Sequence, residues 1–368
     1  MDQVKEELIC SLFYEYYTEN VAFLHEESFE EDMVAEVAAL LSEQQDVVDF
    51  EPDDLYAALE LFRLMVPLRT SQWVAPREAP LPVYELPPYA QRSPEWYEYR
   101  HNMITASSVY KTLGTPSELN SLVVEKCSPP TSHASTSTVG PRHWGVRYEP
   151  VSVQYYEWKY STKVSDFACL PHRAHPFLGA SPDGVNTLPG AAVYGRMLEI
   201  KNPFSRVITG EPKREYWAQM QVQMEVMDLD VCDLLETQFV EYPNRAAFES
   251  DGATFSITEG GKPKGALLYF QRNEMYEYAY APFQCSQAEF DEWEQAELAK
   301  DATRHWVTTV YWKLENAVCT IVPRNSAWFL ANLPMFQTAW QTIVEERVSG
   351  AWSARLPVPR KTKMDVTP

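Results

Sequence analysis

Asp183, Glu199 and Lys201 stand in two short strings, Ser181-Pro182-Asp183-Gly184 and Leu198-Glu199-Ile200-Lys201. A carboxylate, a gap, and then Glu-x-Lys after an apolar lead-in is a spacing suited to metal-dependent phosphodiester cleavage. Met197-Leu198-Glu199-Ile200-Lys201 reads as a strand, and strand side chains alternate between faces. Glu199 and Lys201 therefore point the same way. Asp183 can arrive from a neighbouring strand through a turn that Pro182 and Gly184 favour. Two carboxylates with a carbonyl and waters suit Mg²⁺, which takes hard oxygen ligands and keeps part of its hydration shell. A lysine beside them can orient or deprotonate the attacking water and offset charge on the reacting phosphorus. The plain alternative is a β-turn followed by a strand with an exposed Glu/Lys pair, because Asp-Gly turns and Glu-x-Lys are both common.

Four further strings surround these two in order. Arg92-Ser93-Pro94-Glu95-Trp96 with Arg100 comes first, then Ile104-Thr105-Ala106-Ser107, then Trp144-Gly145-Val146-Arg147-Tyr148-Glu149. Tyr216-Trp217-Ala218-Gln219-Met220-Gln221-Val222-Gln223-Met224 follows the Glu-x-Lys string. The ordered set, from about Arg92 to about Tyr242, resembles the YqaJ-type viral recombinases, the family of lambda-type exonucleases within the PD-(D/E)xK nuclease superfamily. The resemblance implies an α/β restriction-endonuclease-like core and an origin in a large DNA virus. It also implies a Mg²⁺- or Mn²⁺-dependent DNA exonuclease, acting 5′→3′ on linear duplex in viral recombination and replication.

Residue by residue, it implies that Asp183 and Glu199 bind the metal with the Ile200 carbonyl, and that Lys201 serves the water. Glu149 completes the acid cluster, and Gln221, the second glutamine of its string, lies near Lys201. Arg100 binds the phosphate next to the cleaved bond. Ser107 joins it from the residues themselves, since a helix start offers unpaired N–H groups and a positive dipole end to a phosphate. Pro150 follows Glu149 at once and marks a first turn or a kink. Gly145 is expected to let its helix approach the sheet closely. His172 and His175 lie between prolines without a suitably spaced partner, which speaks against zinc.

Charge sorts the chain into parts. The formal net charge is −21 over 368 residues. Residues 1–90 carry twenty acids against four bases, whereas the remainder is close to balance. A broad basic surface is excluded, so phosphates need a local basic path. Residues 1–73 read as an acidic helical accessory module, with apolar stripes such as Leu8, Leu12, Phe13, Tyr16 and Tyr17 at helical spacing. Its acidity suits it poorly to a substrate channel, so it is expected to be dispensable for the chemistry; a dock for another replication protein is the functional alternative to simple packing. Residues 74–90 form a Pro-rich linker or strap, residues 91–355 the nuclease-like domain with C-terminal helices, and residues 356–368 a tail. Residues 128–141 read as a loop.

Helices are expected near 94–101, 105–113, 116–126, 144–161 and 212–228, and over 286–317 and 325–350. Strands are expected near 165–169, 176–181, 196–202, 231–241, 265–271 and 275–280. The six scattered cysteines form no Cys-x-x-Cys pair, which points to a reducing intracellular compartment, cytoplasm or nucleus. No apolar run approaches the ~20 residues a membrane span needs, and no basic-then-apolar leader opens the chain. The expected partners are DNA, by preference linear duplex ends, a single-strand annealing protein and further copies of the chain. An endonuclease or single-strand nuclease with the same site, and a non-catalytic DNA-binding scaffold, are the competing readings.

Overall fold

The computed structural model describes residues 3–43, 50–89, 93–129, 140–273 and 275–356. Arg92, most of the 128–141 loop and residues 357–368 of the tail lie outside the described residues. In chain order the helices and strands begin with α1 (Gln3–Asn20), α2 (Phe29–Glu43), α3 (Pro52–Met65), α4 (Pro94–His101), β1 (Ile104–Thr105), α5 (Ala106–Val109), α6 (Pro116–Cys127) and α7 (Pro141–Tyr160). Short strands β2 (Val164–Ser165), β3 (Leu170–Pro171), β4 (Leu178–Ala180) and β5 (Gly184–Asn186) lead to β6 (Met197–Lys201), α8 (Arg214–Met227) and β7 (Val231–Glu241). The chain continues through α9 (Arg245–Ser250), β8 (Lys264–Arg272), β9 (Met275–Tyr280), α10 (Gln287–Ala299), β10 (His305–Pro323) and α11 (Ser326–Ser349).

Local chemistry sets several of these boundaries. Ser93 caps α4 by accepting from the Trp96 N–H at 3.1 Å, with Pro94 in the first turn. Thr115 and Glu118 form a reciprocal capping box on α6. Asp228, in the left-handed region at φ 52°, ends α8.

The core is α/β. A seven-stranded mixed sheet runs β2-β5-β6-β7-β10-β8-β9. Strands β6 and β7 pair in parallel, so they need a crossover, and α8 supplies it. Strand alternation then sorts β6 into two layers. Met197 packs with the α8 residues Trp217, Met220 and Met224, while Leu198 and Ile200 pack with Tyr148, Val151 and Tyr156 of α7. Glu199 and Lys201 share the face of Met197, and so lie under α8. A small second sheet, β1-β4-β3, sits before the site, with β1 parallel to β4.

Two expectations are corrected, and for Pro150 the first-turn alternative is excluded. Residues 286–317 are not one helix: α10 stops at Ala299 and His305–Pro323 is a 19-residue strand. Its Val, Thr, Tyr and Trp content favours a pleated surface, and it pairs with β8 at one end and β7 at the other. Gly145 makes no close approach, since a Cβ there would meet nothing within 4 Å. Pro150 lies well inside α7 and not in its first turn, so the Val146 carbonyl lacks its helical donor. The strands expected at 165–169 and 176–181 are present in shortened form as β2 and β4.

Residues 74–89 run without helix or strand across the body. Arg77 pairs with Asp230 at 3.1 Å and the Tyr84 hydroxyl donates to the Met227 carbonyl at 2.8 Å. Helices α1–α3 contribute Ile9, Phe13, Met33, Val37, Leu59 and Phe62 to the same buried cluster that holds Trp217 of α8 and Trp328 of α11. Among the described residues no helix is long and apolar enough to cross a membrane.

Candidate active site

The site forms where β5, β6 and α8 meet. Asp183 immediately precedes β5, whose Gly184 pairs with Leu198. Its Oδ2 accepts the Ile200 N–H at 2.7 Å, which fixes the carboxylate against the edge of β6. Glu199 is only 2% exposed, and both of its oxygens are engaged. Oε1 accepts from Lys201 Nζ at 2.5 Å and from Gln219 Nε2 at 2.7 Å. Oε2 accepts from Gln223 Nε2 at 2.8 Å. Lys201 also reaches Gln219 Oε1 at 3.4 Å, and its ammonium lies 4.8 Å from the Tyr216 ring centre.

The electrostatics follow from this crowding. Loss of hydration, then Glu199 and Glu149, push the Asp183 carboxyl well above its ordinary value, against the pull of Lys201 and the Ile200 N–H. Burial draws the Lys201 ammonium down, but Glu199 and Asp183 outweigh it and hold the lysine above its ordinary range. Two buried acids beside one lysine, with Glu149 adding to the crowding of Asp183, are an arrangement that a further cation would relieve.

The donor set fits a hard divalent ion. Asp183 and Glu199 offer carboxylate oxygens, the hard donors that such an ion takes. Among the described residues no three His, Cys, Asp or Glu side chains converge as a metal-holding group. Asp183 and Glu199 would therefore need main-chain oxygen, water or substrate phosphate to fill a coordination shell.

The glutamine helix departs from expectation. Gln221 does not join Lys201. Its Nε2 donates to the Pro323 carbonyl at 3.0 Å and its Oε1 accepts from the Asn325 N–H at 2.7 Å, which ties α8 to the start of α11. Two positions along a helix turn a side chain about 200° away, so Gln221 leaves the face that Gln219 and Gln223 share. Those two residues meet Glu199, and their four-residue spacing is the signal that finds them.

Arg100 and Ser107 flank β1, whose partner β4 leads through Ser181 and Pro182 to Asp183. The Arg100 guanidinium lies 4.5 Å from the Trp96 ring centre, and among the described residues no carboxylate is paired with it. Ser107 is exposed, and its hydroxyl lies 3.3 Å from that of Thr105, which makes no capping bond to α5. His172 and His175 stack near Phe329, away from any cysteine or acid partner of a metal group among the described residues.

Behind Arg100, Lys126 is 5% exposed and donates to the Arg100 carbonyl at 3.1 Å. Burial lowers its pKa to about 8, with Arg100 and Arg347 adding to the shift against Glu125. Below about pH 8 the folded and unfolded chains both carry this charge, and the fold bears the cost of burying it. Above about pH 8 the folded lysine loses its proton first, so the cost fades as the pH climbs toward the ordinary lysine range. Lys126→Met is thus expected to stabilise the protein by about 1–3 kcal/mol near pH 7, allowing for the lost hydrogen bond. Urea unfolding from about pH 7 to 10 checks this, and the gain should shrink across that range.

Residues 95–230 match the YqaJ-like viral recombinase domain. The YqaJ-like span includes Arg100, Ser107, Glu149, Asp183, Glu199, Lys201, Gln219 and Gln223, and the match supports a nuclease role. The uncharacterized protein R354 of Acanthamoeba polyphaga mimivirus is 24% identical over 303 residues, covering 71% of this chain and 54% of its own length. The chain thus spans about half the length of that curated relative. Among solved structures, an alkaline exonuclease (LHK-Exo) of Laribacter hongkongensis overlaps with a TM-score of 0.43 at 16% identity, covering 71% of this chain and 98% of its own. A phage-related exonuclease of Haemophilus somnus 129PT overlaps with a TM-score of 0.39 at 12% identity, covering 69% of this chain and 99% of its own.

Proposed function

We propose that this chain is a Mg²⁺- or Mn²⁺-dependent deoxyribonuclease that resects linear duplex DNA 5′→3′ in viral recombination and replication. The observation that carries the reading is the meeting of Asp183, Glu199 and Lys201 at one point within the YqaJ-like span. Asp183, Glu199 and the Ile200 carbonyl would hold the ion, and Glu149 would add negative potential at the rim. When bound, the ion would polarise the phosphate and acidify a bound water. Lys201, held charged by its acid neighbours, would orient that water and offset charge on the phosphorane more readily than take a proton. Arg100 and the exposed Ser107 hydroxyl would hold a phosphate. DNA ends, an annealing protein and further copies of the chain are the partners this reading implies, inside a reducing compartment of the host cell.

One set of substrates tests it. Linear duplex with a 5′-phosphate should be degraded in Mg²⁺, and closed circular duplex should survive. Cutting of the circle would favour an endonuclease, and binding without cutting would favour a scaffold. Arg100→Ala should slow cleavage of 5′-phosphorylated ends by about tenfold or more, with a smaller loss on unphosphorylated ends. The difference arises because a terminal phosphate dianion gains more from a guanidinium than an internal diester does. Equal losses on both ends would make Arg100 a general backbone contact.

A further inference from the structure

Gln223 is 1% exposed. Its amide nitrogen donates to Glu199 Oε2 at 2.8 Å. That bond fixes the orientation of the amide, since the reverse would set oxygen against carboxylate oxygen. The amide oxygen is then buried with no hydrogen-bond partner among the described residues. Gln219, one turn earlier, differs: its oxygen is taken by Lys201 at 3.4 Å. One glutamine of the pair is satisfied, and the other keeps an idle acceptor on the amide that binds Glu199.

Buried acceptors are seldom left idle in folded proteins. Here the chemistry of the neighbours suggests what completes this one. Asp183 and Glu199 are too few to fill an octahedral shell, so an ion held by them would keep several waters. Such waters are strong donors and need acceptors. Glu199 already receives three donors, and Asp183 Oδ2 is used by the Ile200 N–H. The Gln223 oxygen is available.

We infer that Gln223 is a positioning residue for a hydrated divalent cation: its nitrogen fixes Glu199, and its oxygen accepts from a water that the cation carries. This rests on the reading of Asp183 and Glu199 as an ion site. It separates Gln223 from Gln221, which fastens α8 to α11. It also implies a preference for Mg²⁺, which gives up its waters reluctantly.

The test is calorimetric titration of Mg²⁺ into the full-length protein without DNA, with a thermal melt of each variant. Gln223→Met keeps the volume and removes both polar atoms. It is expected to weaken Mg²⁺ binding by about tenfold to a hundredfold while the ion-free protein remains folded. Gln223→Asn, whose amide falls one methylene short of Glu199, should show the same loss and decides the matter if the Met variant does not fold. Gln221→Met should lower the melting temperature and leave Mg²⁺ affinity unchanged. Wild-type affinity in folded Gln223→Met or Gln223→Asn would overturn the inference. A wild-type protein that binds neither Mg²⁺ nor Mn²⁺ and cuts no DNA would overturn the ion site itself.

Discussion

Asp183→Asn, Glu199→Gln and Lys201→Ala are each expected to cut the rate of DNA cleavage by about a thousandfold, with the protein still folded. Each residue would act on charge that develops in the transition state, where loss of one preorganised group costs about a hundredfold to a thousandfold. The acid substitutions should also weaken ion binding, whereas Lys201→Ala should not. A further mark distinguishes Asp183. Its charge is crowded by Glu199 and Glu149, so Asp183→Asn should raise the melting temperature of the ion-free protein even as it abolishes turnover. Full activity in any of the three variants, measured on 5′-phosphorylated linear duplex, would remove that residue from the site.

The second large effect concerns the first 73 residues. A chain beginning at Val74 is expected to lose its fold or to melt at least ~10 °C lower. The charge argument and the packing argument diverge here. Acidity makes α1–α3 poor DNA ligands, which favours their being dispensable for the chemistry. Yet Ile9, Phe13, Leu24, Phe29, Met33 and Phe62 are buried in the cluster that includes Trp217 and Trp328. Each such side chain contributes about 1.5–3 kcal/mol on burial, and a domain's whole stability is about 5–15 kcal/mol. Polar ties add to this. Trp217 Nε1 donates to the Arg69 carbonyl at 3.0 Å, and Asn332 Nδ2 donates to the Ala22 carbonyl at 3.0 Å. Circular dichroism and a cleavage assay on the shortened chain decide the point. A folded product with Mg²⁺-dependent cleavage would make the helices a separable accessory module.

The sequence showed the site in proportion to how local its rules are. Alternation within Met197–Lys201 is a two-residue rule, and it placed Glu199 and Lys201 together correctly. The caps of Ser93 and Thr115 are three-residue features, and they start α4 and α6 where helices are expected. Helical periodicity put Gln219 and Gln223 on one face, but nothing local says which face of α8 lies on β6. A family pattern pointed instead to Gln221, on the opposite side. The strand β10 was hidden for a related reason. Its fate depends on β7 and β8, far away in the chain, and the preceding helix α10 invites continuation. The stripes of α1–α3 announced a buried face without saying what buries it.

The pairing of the arginines has a consequence for encounter. Arg63, Arg147, Arg206 and Arg304 are each tied to an acid of the same chain, while among the described residues Arg100 has no such tie. For a DNA substrate, the acidic residues 1–90 would repel the duplex, and bases already neutralised by acids of the same chain would hold it weakly. Such a protein would not slide along the double helix as a basic one does. Contact would be confined to the places where a basic group is left unneutralised, so selectivity would come from where contact is forbidden as much as from where it is rewarded.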